Sequence, residues 1–278
     1  MIPAKQLPLC MIKMKDIVFT DSIDCISASR CQTYLSHSLC TGGSCTFTFN
    51  GLPFELRPGS LMIVRKGCLV ENMTPSADFT VRNICISASF VERCATRTNY
   101  AIKGQLALFL NPVMRLTEEQ QAVCRRDFDW IEYRLAQTGH KFYHEQLVNA
   151  VQSAILDFFD FHATLNGEDG ISSQNASILH RFLSMLEDGA YRTHREVSYY
   201  ADALCVTPKY LSEVSKKASG YTANYWINRY ATLDIARMLR DKSLTFVQIS
   251  DMFNFSSPAY FSRYVQRNLG MNPTQFRE

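Results

Sequence analysis

No apolar run in this chain reaches the ~18 to 20 residues that a bilayer-crossing helix needs, and its first stretch, MIPAKQLPLCMIKMKD, is broken by prolines and charges. Neither a membrane span nor a signal peptide is expected. The ten cysteines (Cys10, Cys25, Cys31, Cys40, Cys45, Cys68, Cys85, Cys94, Cys124 and Cys205) include no Cys-x-x-Cys pair and no Cys/His cluster with zinc spacing. Reduced, mostly buried thiols in a cytoplasmic protein are expected, with a redox-sensing cysteine as the competing reading.

What is present is an ordinary globular composition, 46% apolar and 20% charged over 278 residues. That length exceeds a single typical core and points to two domains. The net charge of +3 is small but unevenly spread: His180 to Glu278 carries 13 Lys/Arg against 9 Asp/Glu, and the rest of the chain 16 against 17. The basic excess therefore lies in the C-terminal third, where a polyanion would sit.

From Ile17 to Ser89 the chain reads as short β-rich runs, as in Tyr34 to Leu39, Cys45 to Phe49, Phe54 to Arg57, Leu61 to Val64 and Phe79 to Ile86. Asn50-Gly51 and Pro58-Gly59 supply turns between them. Strands this short and close suggest an antiparallel barrel or jelly roll. Helical spacing follows, in Glu118 to Leu135 and in His144 to His162, where Leu147, Val148, Val151, Ile155, Phe158 and Phe159 form one apolar stripe. The stripe either packs on the barrel or exposes a homodimer surface. A metal-dependent barrel enzyme would need several histidines in its strands, and only His37 lies there; His140, His144, His162, His180 and His194 read as surface or capping residues. Paired acids at fixed spacing are also missing. No catalytic residue, metal or cofactor is expected.

A polar stretch, Asn166-Gly167-Glu168-Asp169-Gly170 followed by Ser172-Ser173-Gln174-Asn175, has no apolar periodicity and reads as the linker, residues 166–175. Beyond it the chain repeats itself. Tyr200-Ala201-Asp202-Ala203-Leu204-Cys205-Val206 returns 49 residues later as Ile249-Ser250-Asp251-Met252-Phe253-Asn254-Phe255. Thr207-Pro208-Lys209-Tyr210-Leu211-Ser212 returns after 50 as Ser257-Pro258-Ala259-Tyr260-Phe261-Ser262, and Gly220 as Gly270.

Each copy reads as helix, turn, helix, over about 196–220 and 245–270. Val197, Tyr200, Ala201 and Leu204, and likewise Phe246, Ile249, Ser250 and Phe253, give each first helix a buried face. Cys205 and Asn254 stand at the turns. Thr207-Pro208 and Ser257-Pro258 supply an N-cap hydroxyl and a proline at the first helical position. Gly220 and Gly270 end the second helices as left-handed caps.

In the second helices Leu211 and Val214, and Phe261, Tyr264 and Val265, point inward. Lys209, Ser212, Glu213, Lys216 and Lys217 are thereby left on one outer face, and Ala259, Ser262, Arg263, Gln266 and Arg267 on the other. Small, polar and basic residues there suit a helix in a major groove. A solvated surface helix would look similar, but two copies of the same pattern favour the groove. Between the units, 222–240 reads as a spacer helix with Trp226, Tyr230, Leu233, Ala236, Met238 and Leu239 inside. Its length of roughly 27 Å can set two recognition helices about one DNA turn apart, in successive major grooves of double-stranded DNA.

At these residues, from about Asn175 to Glu278, the chain resembles the AraC/XylS family of transcription regulators. The resemblance rests on Tyr210-Leu211-Ser212, Ala236-Arg237-Met238-Leu239, the Phe255 to Arg263 block and the closing Gly270-Met271-Asn272-Pro273-Thr274-Gln275-Phe276-Arg277. It implies that Lys209, Ser212, Glu213, Ala259, Ser262 and Arg263 read bases, and that Lys216, Lys217, Arg229 and Arg267 contact phosphates. Asn254 stands where the family usually has glycine, and tolerates a left-handed conformation. Glu213 could accept from cytosine N4 but would be repelled by phosphates.

The fold class so implied is α+β: an N-terminal cupin-like antiparallel β-barrel with a helical pair (residues 1–165, helical from about 90), then a C-terminal all-α double helix-turn-helix domain (176–278). The resemblance also implies a homodimer and an unidentified small-molecule effector, and leaves RNA polymerase open as a further partner. A cupin-type enzyme or a cysteine redox sensor joined to a DNA-binding domain are the alternatives.

Overall fold

A computed structural model describes residues 16–23, 26, 33–94, 100–166 and 172–278. The chain divides into two compact units, Met1–Arg97 with Leu108–Glu168 and Thr98–Ala107 with Asp169–Glu278. Of the stretch read as the linker, 166–175, residues 167–171 lie outside the described residues, and 166 and 173–175 are helical.

The first unit holds two antiparallel sheets. One runs β1-β7-β2-β5-β8, built from β1 (Ile17–Thr20), β2 (Tyr34–Gly42), β5 (Ser60–Val64), β7 (Thr80–Ser87) and β8 (Val113–Arg115). The other runs β4-β3-β6, from β3 (Cys45–Phe49), β4 (Leu52–Leu56) and β6 (Val70–Pro75). Among the described residues no hydrogen-bonded ladder joins the sheets, so they are open. The closed barrel expected from the strand spacing is therefore corrected: closure depends on which distant edges pair, and local alternation does not encode that.

Turn chemistry accounts for the local connections. Asn50 and Gly51 both have positive φ (54° and 75°), the backbone of a tight hairpin whose twist suits β3 and β4. At Pro58-Gly59 the glycine sits at φ 84°, and the Ser60 N–H closes the turn onto the Arg57 carbonyl at 2.8 Å.

The five-stranded sheet is buried on both faces. Leu39, Leu61, Ile63, Ile84 and Ile86 share a core with helical residues Phe128, Ile131, Leu147, Val151 and Phe158. Their alternate neighbours Cys40, Met62, Val64 and Val81 join Cys45, Phe47, Phe49 and Leu56 of the smaller sheet. This two-sided burial explains why β5 is apolar from Leu61 to Val64 rather than alternating.

Helices α1 (Ala88–Arg93), α3 (Glu118–Ala136) and α4 (Tyr143–Asn166) belong to the first unit, and most of α2 (Tyr100–Leu110) falls in the second. β8 interrupts the stretch expected to be helical. Thr117 and Gln120 form a reciprocal capping box at the head of α3. The apolar stripe of α4 packs inward, while Trp130 and Tyr133 of α3 are 45% and 53% exposed. No helix among the described residues is long and apolar enough to cross a membrane.

Candidate nucleic-acid interface

The second unit continues with α5 (Ser173–Glu187), α6 (Val197–Ala203), α7 (Pro208–Ser219), α8 (Ala223–Arg240), α9 (Phe246–Met252), α10 (Pro258–Leu269) and α11 (Pro273–Arg277). The sequence repeat becomes a repeat of backbone. Cys205 and Asn254 both take the left-handed conformation (φ 56° and 48°). Directly after them, the Val206 N–H donates to the Ala201 carbonyl at 2.9 Å and the Phe255 N–H to the Ser250 carbonyl at 3.0 Å. Ala201 and Ser250 are 0% and 1% exposed, and both are small where the turn folds back on its own helix.

The second helices start and stop alike. The Thr207 and Ser257 side chains accept from the N–H groups of Tyr210 and Tyr260, each followed by a proline in the first turn. Gly220 and Gly270 close them at φ 80° and 79°. Leu211, Val214, Phe261 and Val265 face a core that includes Tyr200, Trp226, Leu239 and Phe253. Fully burying side chains of this kind contributes roughly 1.5–3 kcal/mol each, so the two outward faces are held on a firm base.

On the outer face of α7, Lys209, Glu213, Lys216 and Lys217 are exposed and Ser212 is half-buried. On α10, Ala259, Arg263, Gln266 and Arg267 are exposed and Ser262 is half-buried. Arg229, on α8, is half-buried. Lys209 Nζ and Glu213 Oε1 stand 4.0 Å apart at i,i+4 on exposed side chains; screening makes such a pair worth little, yet it draws one candidate cation toward an acid. Arg263 has no neighbouring carboxylate of that kind within its own helix.

Sequence reasoning missed three residues that set this frame. Asp234, on α8, accepts from the Tyr191 hydroxyl at 3.0 Å and pairs with Arg192 and Arg237 at 2.7 and 2.6 Å. Burial and the adjacent Asp234 carboxylate push the Tyr191 phenol well above its ordinary pKa. Arg195 reaches from before α6 to the second unit's turn, donating to the Phe253 and Asn254 carbonyls with its guanidinium 4.2 Å from the Phe255 ring. Tyr260 is 48% exposed on α10. The first two are invisible in a local pattern; the third could have been found, since it repeats Tyr210.

Residues 200–278 match the family described as a helix-turn-helix domain. This C-terminal part carries a helix-turn-helix domain of the AraC type. Over 107 residues it is 26% identical to "Histidine kinase P4" of Formosa agariphila, covering 38% of this chain and 8% of that protein. Over 69 residues it is 29% identical to "Probable transcription factor PqrA" of Proteus vulgaris, covering 25% of this chain and 57% of that one. The chain thus matches well under two thirds of either relative's length. Among solved structures, ToxT from Vibrio cholerae O395 is similar at a TM-score of 0.43 and 13% identity, covering 88% of each chain.

The alternative readings meet specific geometry in the first unit. His37 is buried against Phe158 with ring centroids 5.6 Å apart, and burial lowers its pKa to about 4. It is neutral at physiological pH. Cys94 and Cys124 are buried thiols pushed up to about 11 and about 12, and burial also raises Cys40 and Cys45. Thiols held protonated are poor nucleophiles. Cys205 is exposed.

Proposed function

We propose that this protein is a sequence-specific DNA-binding transcription regulator that acts as a homodimer in response to a small-molecule effector. The observation that carries the reading is the duplicated helix-turn-helix, in which two equivalent left-handed turns present two capped helices with polar outer faces. Lys209, Ser212, Glu213, Ala259, Ser262 and Arg263 are assigned to base edges, and Lys216, Lys217, Arg229 and Arg267 to phosphates, in successive major grooves. Residues 176–278 form the DNA-binding part and residues 1–165 the cupin-like sensing and dimerising part, with RNA polymerase a further candidate partner and the cytoplasm its place.

The exposed face of α3 supports self-association. In an antiparallel two-fold pairing centred between Asp127 and Phe128, Ala122 would face Tyr133, Arg125 would face Trp130, and Arg126 would face Asp129 of a second copy. A two-fold interface must complement itself in this way.

Fluorescence anisotropy with a duplex from the region upstream of its own gene tests the DNA reading. Binding should weaken steeply with salt, as counterion release requires. Binding that is absent or indifferent to salt overturns it.

A further inference from the structure

The internal repeat provides a comparison within one molecule, and at one pair of equivalent positions the two copies differ. Tyr210 and Tyr260 lie 50 residues apart, each three residues after the capping hydroxyl of its recognition helix. Both are exposed, at 36% and 48%. The Tyr210 hydroxyl donates to Asn175 Oδ1, in the first turn of α5, at 2.8 Å. The Tyr260 ring rests edge-on against Phe255, with centroids 5.8 Å apart, and its hydroxyl takes no such bond.

We propose that Tyr260 is a contact to the DNA backbone and that Asn175 withholds its repeat equivalent, Tyr210, from the same role. The proposal rests on the DNA-binding reading above. A phenol on the first turn of a recognition helix stands where the helix end also favours a phosphate. Its O–H is the kind of neutral donor that fixes register on the duplex without reading sequence. In the first unit that donor is already satisfied, so a phosphate must compete with the Asn175 amide oxygen. The second unit engages the backbone unaided, whereas the first is complete only when Asn175 lets go.

Asn175 is the last residue of the stretch read as the linker and is three residues past the α5 cap, Ser172, whose side chain accepts from the Asn175 N–H at 3.3 Å. That capping bond is made by backbone, so removing the Asn175 side chain leaves it in place. A shift in the start of α5 would reach the first recognition helix through one hydrogen bond.

The test is anisotropy of the full chain on the upstream duplex and on a random duplex of equal length, at one salt concentration. Tyr260→Phe should weaken binding about three- to tenfold on both, the range for one hydrogen bond, and Tyr210→Phe should change it less than about twofold. Asn175→Ala, at unchanged melting temperature, should strengthen binding about three- to tenfold, and Tyr210→Phe in that background should then cost what Tyr260→Phe costs in the parent. Equal losses for the two single tyrosine variants in the parent, or no gain from Asn175→Ala, overturn the proposal while leaving DNA binding standing. Failure of the parent protein to bind either duplex overturns the DNA reading and the proposal together.

Discussion

The Tyr191 hydroxyl donates to the Asp234 carboxylate across 3.0 Å, joining the segment before the first helix-turn-helix to the helix between the two helix-turn-helix copies. Asp234 is 8% exposed and also holds Arg192 and Arg237. One buried acid therefore satisfies three donors from two parts of the unit, and its loss strands a phenol and two guanidinium groups. Asp234→Ala should cost about 2–4 kcal/mol, below the top of the range for fully buried pairs because both arginines are partly solvated. Urea unfolding checks it; a loss under 1 kcal/mol would reduce the cluster to an ornament of the surface.

Arg263 and Glu213 occupy repeat-equivalent positions on the two recognition helices with opposite charge. An arginine can make a bidentate contact to guanine, whereas Glu213 stands within reach of Lys209 and repels phosphates. Arg263→Ala should cost about 1–3 kcal/mol on the specific duplex and relax specificity, while Glu213→Ala should cost less. An equal loss for Arg263→Ala on specific and random DNA would mark that residue as a phosphate contact instead.

Much of this frame is legible in the sequence where chemistry is local. Asn50-Gly51, Thr207-Pro208, Ser257-Pro258 and the two closing glycines each demand one backbone conformation, and the structure has it. β6 escaped because half of its residues are exposed and its sequence shows no clear alternation, and β8 because three residues carry no period. The open sheets escaped for a different reason: β1 pairs with β7 and β5 with β8 across long separations. Asp234 reads as the polar side of a helix until Tyr191 and Arg192, more than forty residues upstream, supply its partners.

Cys205 and Asn254 adopt positive φ without being glycine, at a steric cost of roughly 1–2 kcal/mol for an ordinary side chain and less for asparagine. Glycine's greater freedom in the unfolded chain offsets part of that. Cys205→Gly should therefore stabilise the protein by about 0.5–1 kcal/mol, and Asn254→Gly by less. The first variant also bears on redox sensing, because Cys205 is exposed and the described thiols of the core are buried. If DNA affinity falls on peroxide treatment in the parent and not in Cys205→Gly, the sensor reading returns; indifference in both removes it for this thiol.

If α3 pairs with a second copy, its centre is aromatic. Trp130 and Tyr133 stack at 5.4 Å and Arg134 lies 4.3 Å from the Trp130 ring, so the face is already ordered before any partner arrives. Trp130→Ala should shift sedimentation toward the monomer with the melting temperature nearly kept, since the side chain is half exposed. An unchanged sedimentation coefficient would move the dimer surface elsewhere.

Asp127 gives the first unit a dependence on pH whose sign can be worked out. Burial, and next the charge and hydrogen bond of Asp157 from α4, raise its pKa from 3.8 to about 7, against a weaker opposing pull from Arg126 on its own helix. Its Oδ2 atom is buried without a hydrogen-bond partner. Between about pH 4 and 7 the folded protein keeps a proton that the unfolded chain releases, so the native state binds more protons and stability falls as pH rises through that window. Two ionised carboxylates facing each other between α3 and α4 are the physical origin of the loss. Asp127→Asn keeps the size and can donate to Asp157, and it should raise stability at pH 8 by about 1–3 kcal/mol while changing little at pH 4. Urea unfolding of parent and variant at the two pH values decides it, and a variant no more stable than its parent at pH 8 would show that the pair is relieved by solvent rather than strained.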